Sequence, residues 1–526
     1  MMESRESGAY FVRKRAPPAD VSQLERLCRL DVGSESAEVL CHTGIVCTLG
    51  PSSRREDTLR KLIDHGMAIA RLNFSHGSHD YYRETIGALR AAVNSFPQQR
   101  VVAIAVDTRG PEIRTGSFAH CDTVQLQSND KVRLTPDESV RDTSTAVHLF
   151  VDYPNLADVV AIGGRVYIDD GLISLVVESI EQRDVLCRVE NGAELGNRKG
   201  VNLPGCKVDL PAVSAKDAAD LRFAAEQDLD MVFASFVRDA ANVRGVRQVL
   251  AAIPGGDEIK IVAKIENQQA LENIDEIIAE ADGVMVARGD LGIEIPPQKV
   301  FVAQKTIIAK CNRAGKPVIC ATQMLDSMIR KPRPTRAEVS DVANAVLEGA
   351  DCLMLSGETA NGDYPLESLK MMHAIAREAE AAAQPRLLAE STTVVGGAAA
   401  GFSATIAAAA AVASARCGAS AIIVMTTTGR TAAELSSCRP PCPVISVTRT
   451  RRTARQLQLY HGVCPVFYAQ DEEDSDWVTD VDRRIDYGVS VGRTRGFIER
   501  GDSVVVVTGW RRGAGYTNNL RIIAAP

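Results

Sequence analysis

Eight short apolar runs, each followed by an amphipathic stretch, constrain this chain more than any other feature. They are GIVCTL (44–49), MAIARL (67–72), VVAIAV (101–106), MVFAS (231–235), KIVAK (260–264), GVMVA (283–287), PVICA (317–321) and CLML (352–355). Runs this short and this apolar read as strands, and the stretches between them as the helical crossovers of βα units around a parallel sheet. Eight such units predict an α/β fold built on a TIM (β/α)8 barrel, whose chemistry sits at the C-terminal ends of the strands. The distinctive polar residues collect there: Arg71, Asn73, Ser75 and His76; Asp107 and Thr108; Ser235; Lys264 and Glu266; Gly289 and Asp290; Thr322; Ser356.

Among these, Lys264, Glu266 and Asp290 carry the most chemistry. Alternate residues of a strand share a face, so Lys264 and Glu266 project the same way, placing an ammonium beside an anion. Asp290 closes the next apolar run, and Gly289 before it lets backbone approach a ligand closely. Two carboxylates with room for water suit Mg²⁺, which is usually completed by substrate oxygens. The same residues also fit a surface Lys-Glu pair beside an unrelated turn aspartate, because ion pairs gather at strand ends.

Residues 112–212 break the helical pattern. Segments such as TVQLQ, KVRLT, RVYIDDGLISLVVESI and VLCRVE alternate and stop at Asn-Asp, Asp-Asp-Gly and Gly-Gly, as short antiparallel strands do. They predict a small inserted β unit that closes over the rim as a lid, against the alternative of an inert insertion. After residue 380 the strands ASAIIVM, CPVISVT and DSVVVVTG mark a further α/β unit. Its TTTGRTAAEL segment reads as a turn feeding a helix N-terminus, which favours an anion, and GWRRGAGYTNN as a basic glycine-rich loop. Each alone fits an ordinary turn. Residues 391–415 carry no charge, but alanine, glycine, serine and threonine dominate them, so they read as a mobile loop and a buried alanine-rich helix rather than a membrane span.

A length of 526 residues allows about three domains. The net charge of −7 argues against a nucleic-acid or membrane-surface binder. Thirteen cysteines without a C-x-x-C pair fit reduced thiols in a cytoplasmic protein, and Cys438 and Cys442, the closest pair, lack the partners of a zinc site. The first twenty residues have no apolar core and read as a solvated tail rather than a secretory signal.

The strings ARLNFSHG (70–77), DTRGPEIRTG (107–116), KGVNLPG (199–205), KIEN (264–267), ARGDLG (287–292), ATQMLDSM (321–328), PTRAEVSDVANAV (334–346) and LSGETANGDYP (355–365) resemble pyruvate kinase, in family order. Residues 1–38 carry no useful match and read as an N-terminal tail or short helical segment; from there the resemblance implies a catalytic barrel over 39–111 and 213–382. A β-barrel lid over 112–212 and an allosteric domain over 383–526 complete the arrangement, assembled as a homotetramer. It implies transfer of the phosphoryl group of phosphoenolpyruvate to ADP, giving pyruvate and ATP. Glu266 and Asp290 resemble the ligands of Mg²⁺ (or Mn²⁺), Lys264 the lysine on the transferring group, and Arg71 the arginine on the phosphate. Thr322, Gly289 and Asp290 resemble the site of the substrate carboxylate. Thr322 and Ser356 resemble residues beside the water chain that protonates the enolate.

Asn73, Ser75, Asp107 and Thr108 resemble the family's K⁺ ligands, and Glu112 matches members that need K⁺, where K⁺-independent members carry lysine. Asn73, His76, Arg114 and Lys199 resemble nucleotide contacts, and Arg109 replaces a frequent lysine. Thr426, Thr427, Thr428, Gly429, Arg430 and Thr431, with Trp477, Arg484, Arg511, Arg512, Gly513, Ala514, Gly515 and Tyr516, resemble the fructose 1,6-bisphosphate pocket of regulated animal enzymes. Thr427 departs from the lysine of one such isoform and the glutamate of its constitutive counterpart. Another phosphoenolpyruvate-handling barrel enzyme, such as an aldolase or dikinase, fits less well, because the lid with Lys199 is present and no phosphohistidine domain is evident. A catalytically dead scaffold would have lost some of Arg71, Lys264, Glu266, Asp290 and Thr322.

Overall fold

The computed structural model describes residues 28, 30, 41–119, 121–382, 401–469 and 476–526. Most of the expected tail over 1–38, and the expected loop over 391–400, lie outside them.

The eight apolar runs form the strands Gly44–Thr48, Met67–Asn73, Ala103–Asp107, Met231–Ala234, Lys260–Ile265, Gly283–Ala287, Val318–Ala321 and Cys352–Leu355. All pair in parallel in chain order, and the first closes on the last with Gly44 beside Cys352. Period-two alternation divides their side chains. Val46, Ile69, Ala103, Ala105, Met231, Phe233, Val262 and Met285 fill the barrel interior. Their neighbours Ile45, Ala70, Ile104, Val232, Ala263 and Val284 face the surrounding helices. Leu459, from the C-terminal unit, joins the interior cluster.

Between the third and fourth barrel strands the chain leaves to build a unit with its own core, including Leu134, Leu149, Val166, Leu175 and Val185. A seven-stranded sheet runs in the order Ile113–Arg114, Gly200–Asn202, Arg165–Ile168, Ile173–Glu181, Asp184–Asn191, Lys131–Thr135, His148–Phe150, beside a two-stranded sheet. A bridge from Thr115 to Val151 links its two edges and curls it towards a barrel. Pairing is antiparallel except between Lys131–Thr135 and His148–Phe150, which run parallel.

The C-terminal unit holds five strands in the order Val463–Phe467, Val444–Thr448, Ala421–Met425, Ser503–Gly509, Thr517–Ala524. The first four are parallel and the last antiparallel. The alanine-rich stretch forms the helix Phe402–Cys417, which buries one face through Ala407, Ala410, Ala411 and Ser414. Among the described residues no helix is long and apolar enough to cross a membrane.

Candidate active site

The alternation that fills the barrel continues one step past the strand ends and turns polar. Ile69 leads to Arg71, Ala105 to Asp107, Phe233 to Ser235 and Val262 to Lys264, so four side chains from four strands share the top of the barrel axis. They are buried together, and they satisfy one another. Arg71 Nε donates to Asp107 Oδ2 at 2.6 Å, and its Nη1 donates to Thr48 Oγ1 at 2.9 Å. Lys264 Nζ donates to Ser235 Oγ at 2.7 Å and to Asp107 Oδ1 at 3.1 Å. It also lies 2.8 Å from Glu266 Oε1.

Burial works against the Lys264 ammonium, but Asp107 and then Glu266 outweigh it and hold its pKa above the ordinary lysine range. Burial likewise opposes the Asp107 carboxylate, and Arg71 and Lys264 outweigh that, keeping it below its usual value. Lys264 is therefore a fixed positive charge across the physiological range. A base it is not.

Asp290 behaves differently. Burial, and then the charge of Glu266, push its carboxyl up to about 7, with Lys264 only partly offsetting them. Glu266 is fully buried; its Oε2 accepts from Phe236 N at 2.6 Å, whereas Oε1 has no hydrogen bond and only the ionic contact with Lys264. A buried carboxylate oxygen with an ion pair but no hydrogen bond, beside a carboxyl that resists ionisation, fits a divalent cation. Among the described residues no group of three or more His, Cys, Asp or Glu side chains is placed to hold a metal ion.

The helix Arg288–Glu294 starts directly after the sixth strand and carries Asp290 in its first turn. A Cβ on Gly289 would stand 2.8 Å from Thr322 Cγ2, so glycine is required for the two segments to meet. Thr322 takes φ +75°, strained for a β-branched residue. Sequence reading missed the residue that holds this turn: Arg288 donates to Thr322 O at 2.6 Å and to Asp341 Oδ1 at 2.7 Å. Only its place beside Gly289 and Asp290 in ARGDLG pointed to it.

A cavity of about 480 Å³ opens between rim and lid. Arg71, Asn73, Ser75, His76, Lys264 and Asp290 line it from the barrel, and Arg114, Lys199 and Asn202 from the inserted unit. Thr108, Gly289, Thr322 and Ser356 lie outside that lining; Ser356 precedes the short helix Gly357–Ala360, where its N–H donates to Glu358 at 2.7 Å. Glu112 sits between two arginines, accepting from Arg114 Nε at 2.8 Å and Arg109 Nε at 3.4 Å. Lys199 is held by Asp169 at 3.0 Å, and Asn202 Nδ2 donates to Glu294 at 3.0 Å, tying the inserted unit to the helix that carries Asp290.

In the C-terminal unit Gly429, at φ +84°, caps the helix Arg430–Ser437, Gly429 N donates to Thr426 Oγ1 at 2.9 Å, and Thr431 meets Thr517 at 3.0 Å. Arg511 lies over the Tyr516 ring at 3.8 Å and over Trp510 at 4.7 Å. Arg484 does not reach out to these loops. It is buried, bonded to Asp480 at 2.7 Å and stacked over Trp477 at 5.3 Å.

A closed barrel that concentrates fixed cations, a pair of buried carboxyl groups and a lid on one charged cavity fits the enzymes that neutralise a phosphorylated substrate during group transfer. Sequence comparison narrows the class. Residues 40–369 match the family described as pyruvate kinase, barrel domain, and 404–523 the one described as pyruvate kinase, alpha/beta domain. The chain is 52% identical to pyruvate kinase PKLR of Homo sapiens, over 99% of this chain and 92% of that one. It is 47% identical to the pyruvate kinase of Leishmania mexicana, over 91% and 95%, and 45% identical to pyruvate kinase 1 of Trypanosoma brucei brucei, over 96% and 100%. The chain belongs to the pyruvate kinase family. It is an enzyme that moves the phosphoryl group of phosphoenolpyruvate to ADP, giving pyruvate and ATP.

Proposed function

We propose that Glu266 and Asp290 hold the Mg²⁺ or Mn²⁺ ion that binds phosphoenolpyruvate, with Lys264 and Arg71 neutralising the phosphoryl group. The observation that carries this is the unbonded, buried Glu266 Oε1 beside Asp290 and Lys264. The bound ion supplies charge stabilisation and a template for substrate oxygens. Lys264 supplies a preorganised positive charge, aimed where negative charge moves in the transition state. Arg71 presents a planar fork, held in orientation by Asp107 and Thr48, that matches phosphate oxygens. Thr322 and the backbone at Gly289 and Asp290 receive the carboxylate. Thr322 and Ser356 border the path of the proton to the enolate, as relay groups rather than acids.

Asn73, Ser75, Asp107 and Thr108 are assigned to K⁺. All four offer oxygen, and Asp107 already carries the negative charge a monovalent cation would share with Arg71 and Lys264. His76, Arg114 and Lys199 take the nucleotide together with Asn73, and Lys199 must leave Asp169 to do so. The barrel over 39–111 and 213–382, the lid over 112–212 and the effector domain over 383–526 form one subunit of a cytoplasmic homotetramer on the same reading.

Binding of the divalent ion requires Asp290 as its anion, whereas the free protein holds that carboxyl protonated below about 7. Apparent affinity for Mn²⁺ alone should rise about tenfold per pH unit up to that point and then level off. Stability of the metal-free protein runs the other way. The folded-state value lies above the unfolded one, so this group favours folding as pH falls from 7 towards 4. Calorimetric Mn²⁺ titrations between pH 6 and 8 check the first trend, and an affinity independent of pH would remove Asp290 from the ligand set.

Thr426 to Thr431, with Trp477, Arg484 and the loop Arg511 to Tyr516, are assigned to fructose 1,6-bisphosphate as an activating effector. Neutral Thr427 neither adds a phosphate contact nor repels the ligand. The effector should lower the apparent KM for phosphoenolpyruvate, which requires unequal affinity for two states of the enzyme. Because Arg484 is tied to Asp480 and Trp477, it must release or share Asp480 to meet a phosphate, and Arg449, 2.6 Å from Asp480, is placed to hold that carboxylate meanwhile. Arg484→Ala should weaken the KM response, with turnover at saturating phosphoenolpyruvate as the reference. Hyperbolic kinetics unmoved by millimolar effector would sink the regulatory assignment and leave the catalytic one standing.

A further inference from the structure

The loop after the second barrel strand is pinned from behind. Tyr82, in the first turns of the helix His79–Asn94, sends its phenolic oxygen to 2.5 Å from Asn73 O and 2.7 Å from His76 O. A phenol has one proton, so the two carbonyls share it and the loop is tied at both ends to a single atom. Lys216 Nζ donates to the carbonyl between them, Phe74 O, at 2.8 Å, and is itself held by Asp220 at 2.7 Å. The Tyr82 ring stacks on Phe74 at 4.5 Å between centroids. Gly77, at φ +79°, makes room for it, since a Cβ there would stand 3.2 Å from the ring. With the carbonyls of Asn73, Phe74 and His76 drawn into the scaffold, the loop presents Asn73, Ser75 and His76 to the cavity.

We infer that Tyr82 is a positioning residue that sets the affinity and size selectivity of the monovalent-cation site by clamping the Asn73–His76 loop, with Lys216 as its second anchor. This rests on the assignment of Asn73 and Ser75 to K⁺. Discrimination between K⁺ and the smaller Na⁺ or Li⁺ needs oxygens held at a fixed spacing, and a loop free to contract would serve each ion alike. Tyr82 itself lies outside the lining of the cavity. Its effect is to hold two oxygen donors still.

Tyr82→Phe deletes one oxygen and leaves the ring stack in place. The expected results are a half-saturating K⁺ concentration raised about tenfold, a narrowed ratio of K⁺- to Na⁺-supported turnover, and kcat at saturating K⁺ changed far less. Two readouts do not depend on activity. Amide hydrogen exchange over 73–77 should quicken in the variant, and the rise in Tm given by K⁺ over an equal concentration of choline should shrink. Should Tyr82→Phe fold poorly, Lys216→Met, which frees Phe74 O, is expected to shift the K⁺ requirement in the same direction. A parent protein that responds to K⁺, with variants of unchanged K⁺ requirement and unchanged exchange, overturns the clamp. A parent showing no K⁺ response in rate or in Tm overturns the K⁺ assignment beneath it, and the inference falls with it.

Discussion

Lys264→Met should lower kcat by about 10³-fold or more while divalent-ion binding survives, because the methionine keeps the volume and removes a fixed charge aimed at the transferring group, leaving Arg71 alone there. The neighbouring contacts define what else changes. Asp107 keeps Arg71 at 2.6 Å, but Glu266 loses its only ion contact, the one at 2.8 Å. A buried carboxylate left alone costs about 3–5 kcal/mol, so the metal-free variant should unfold earlier than the parent and should gain more in Tm from Mg²⁺. Lys264 also draws the Asp290 pKa down, so its loss pushes that carboxyl further up, and the metal titration belongs above pH 8. A variant with kcat near that of the parent would strip Lys264 of its assigned role. Lost turnover together with lost metal binding at high pH would instead make it a structural partner of Glu266.

Glu112→Lys should release the enzyme from K⁺, raising turnover without K⁺ by about tenfold, the equivalent of ~1.4 kcal/mol in the barrier. The substitution brings an ammonium into the cavity that Asn73, Ser75 and Asp107 line, where it stands in for the external cation. The cost is local, since Arg109 and Arg114 lose their shared carboxylate and face a third positive charge. A modest drop in Tm is therefore expected. An independent readout comes from Asp290, whose pKa is raised in part by Glu112. Exchanging that anion for a cation lowers it, so the pH at which Mn²⁺ binding levels off should move down. A variant that folds, works with K⁺ and remains inactive without it would refute the internal-cation argument.

The barrel was legible because each of its strands is buried on both faces and so reads as an unbroken apolar run. The same logic explains two strands that sequence reading passed over. Val463–Phe467 contains Pro465, which argues against a strand, yet it lies at the sheet edge, where a missing N–H is tolerated. Thr517–Ala524 is the opposite edge, half exposed and opening on two asparagines, so neither its pattern nor its composition announces it.

Within the site, Lys264 and Glu266 were readable as neighbours because they lie two apart at the C-terminal end of one strand, Glu266 just past its last residue. The contacts of Lys264 with Asp107 and Ser235 were not, since strand register brings those residues from 157 and 29 positions away. Arg288 and Tyr82 escaped for a related reason. Each acts on a backbone carbonyl, and a carbonyl leaves no mark in a sequence. The effector residues show the reverse difficulty: resemblance collected them by motif, but Arg484 is packed against Trp477 and Asp480 rather than turned to the loops it was grouped with.

The pairing of Gly44 with Cys352 has a consequence during synthesis. At about 5–20 residues per second the ribosome takes roughly 15–60 s to travel between those two positions. Through that interval the first strand waits with one edge unpaired, an open template for any other nascent chain. The inserted unit lies wholly within that interval and has a core of its own. The barrel's ring of hydrogen bonds closes only after the eighth strand has emerged. That early edge is therefore exposed to mispairing for as long as the eighth strand is missing.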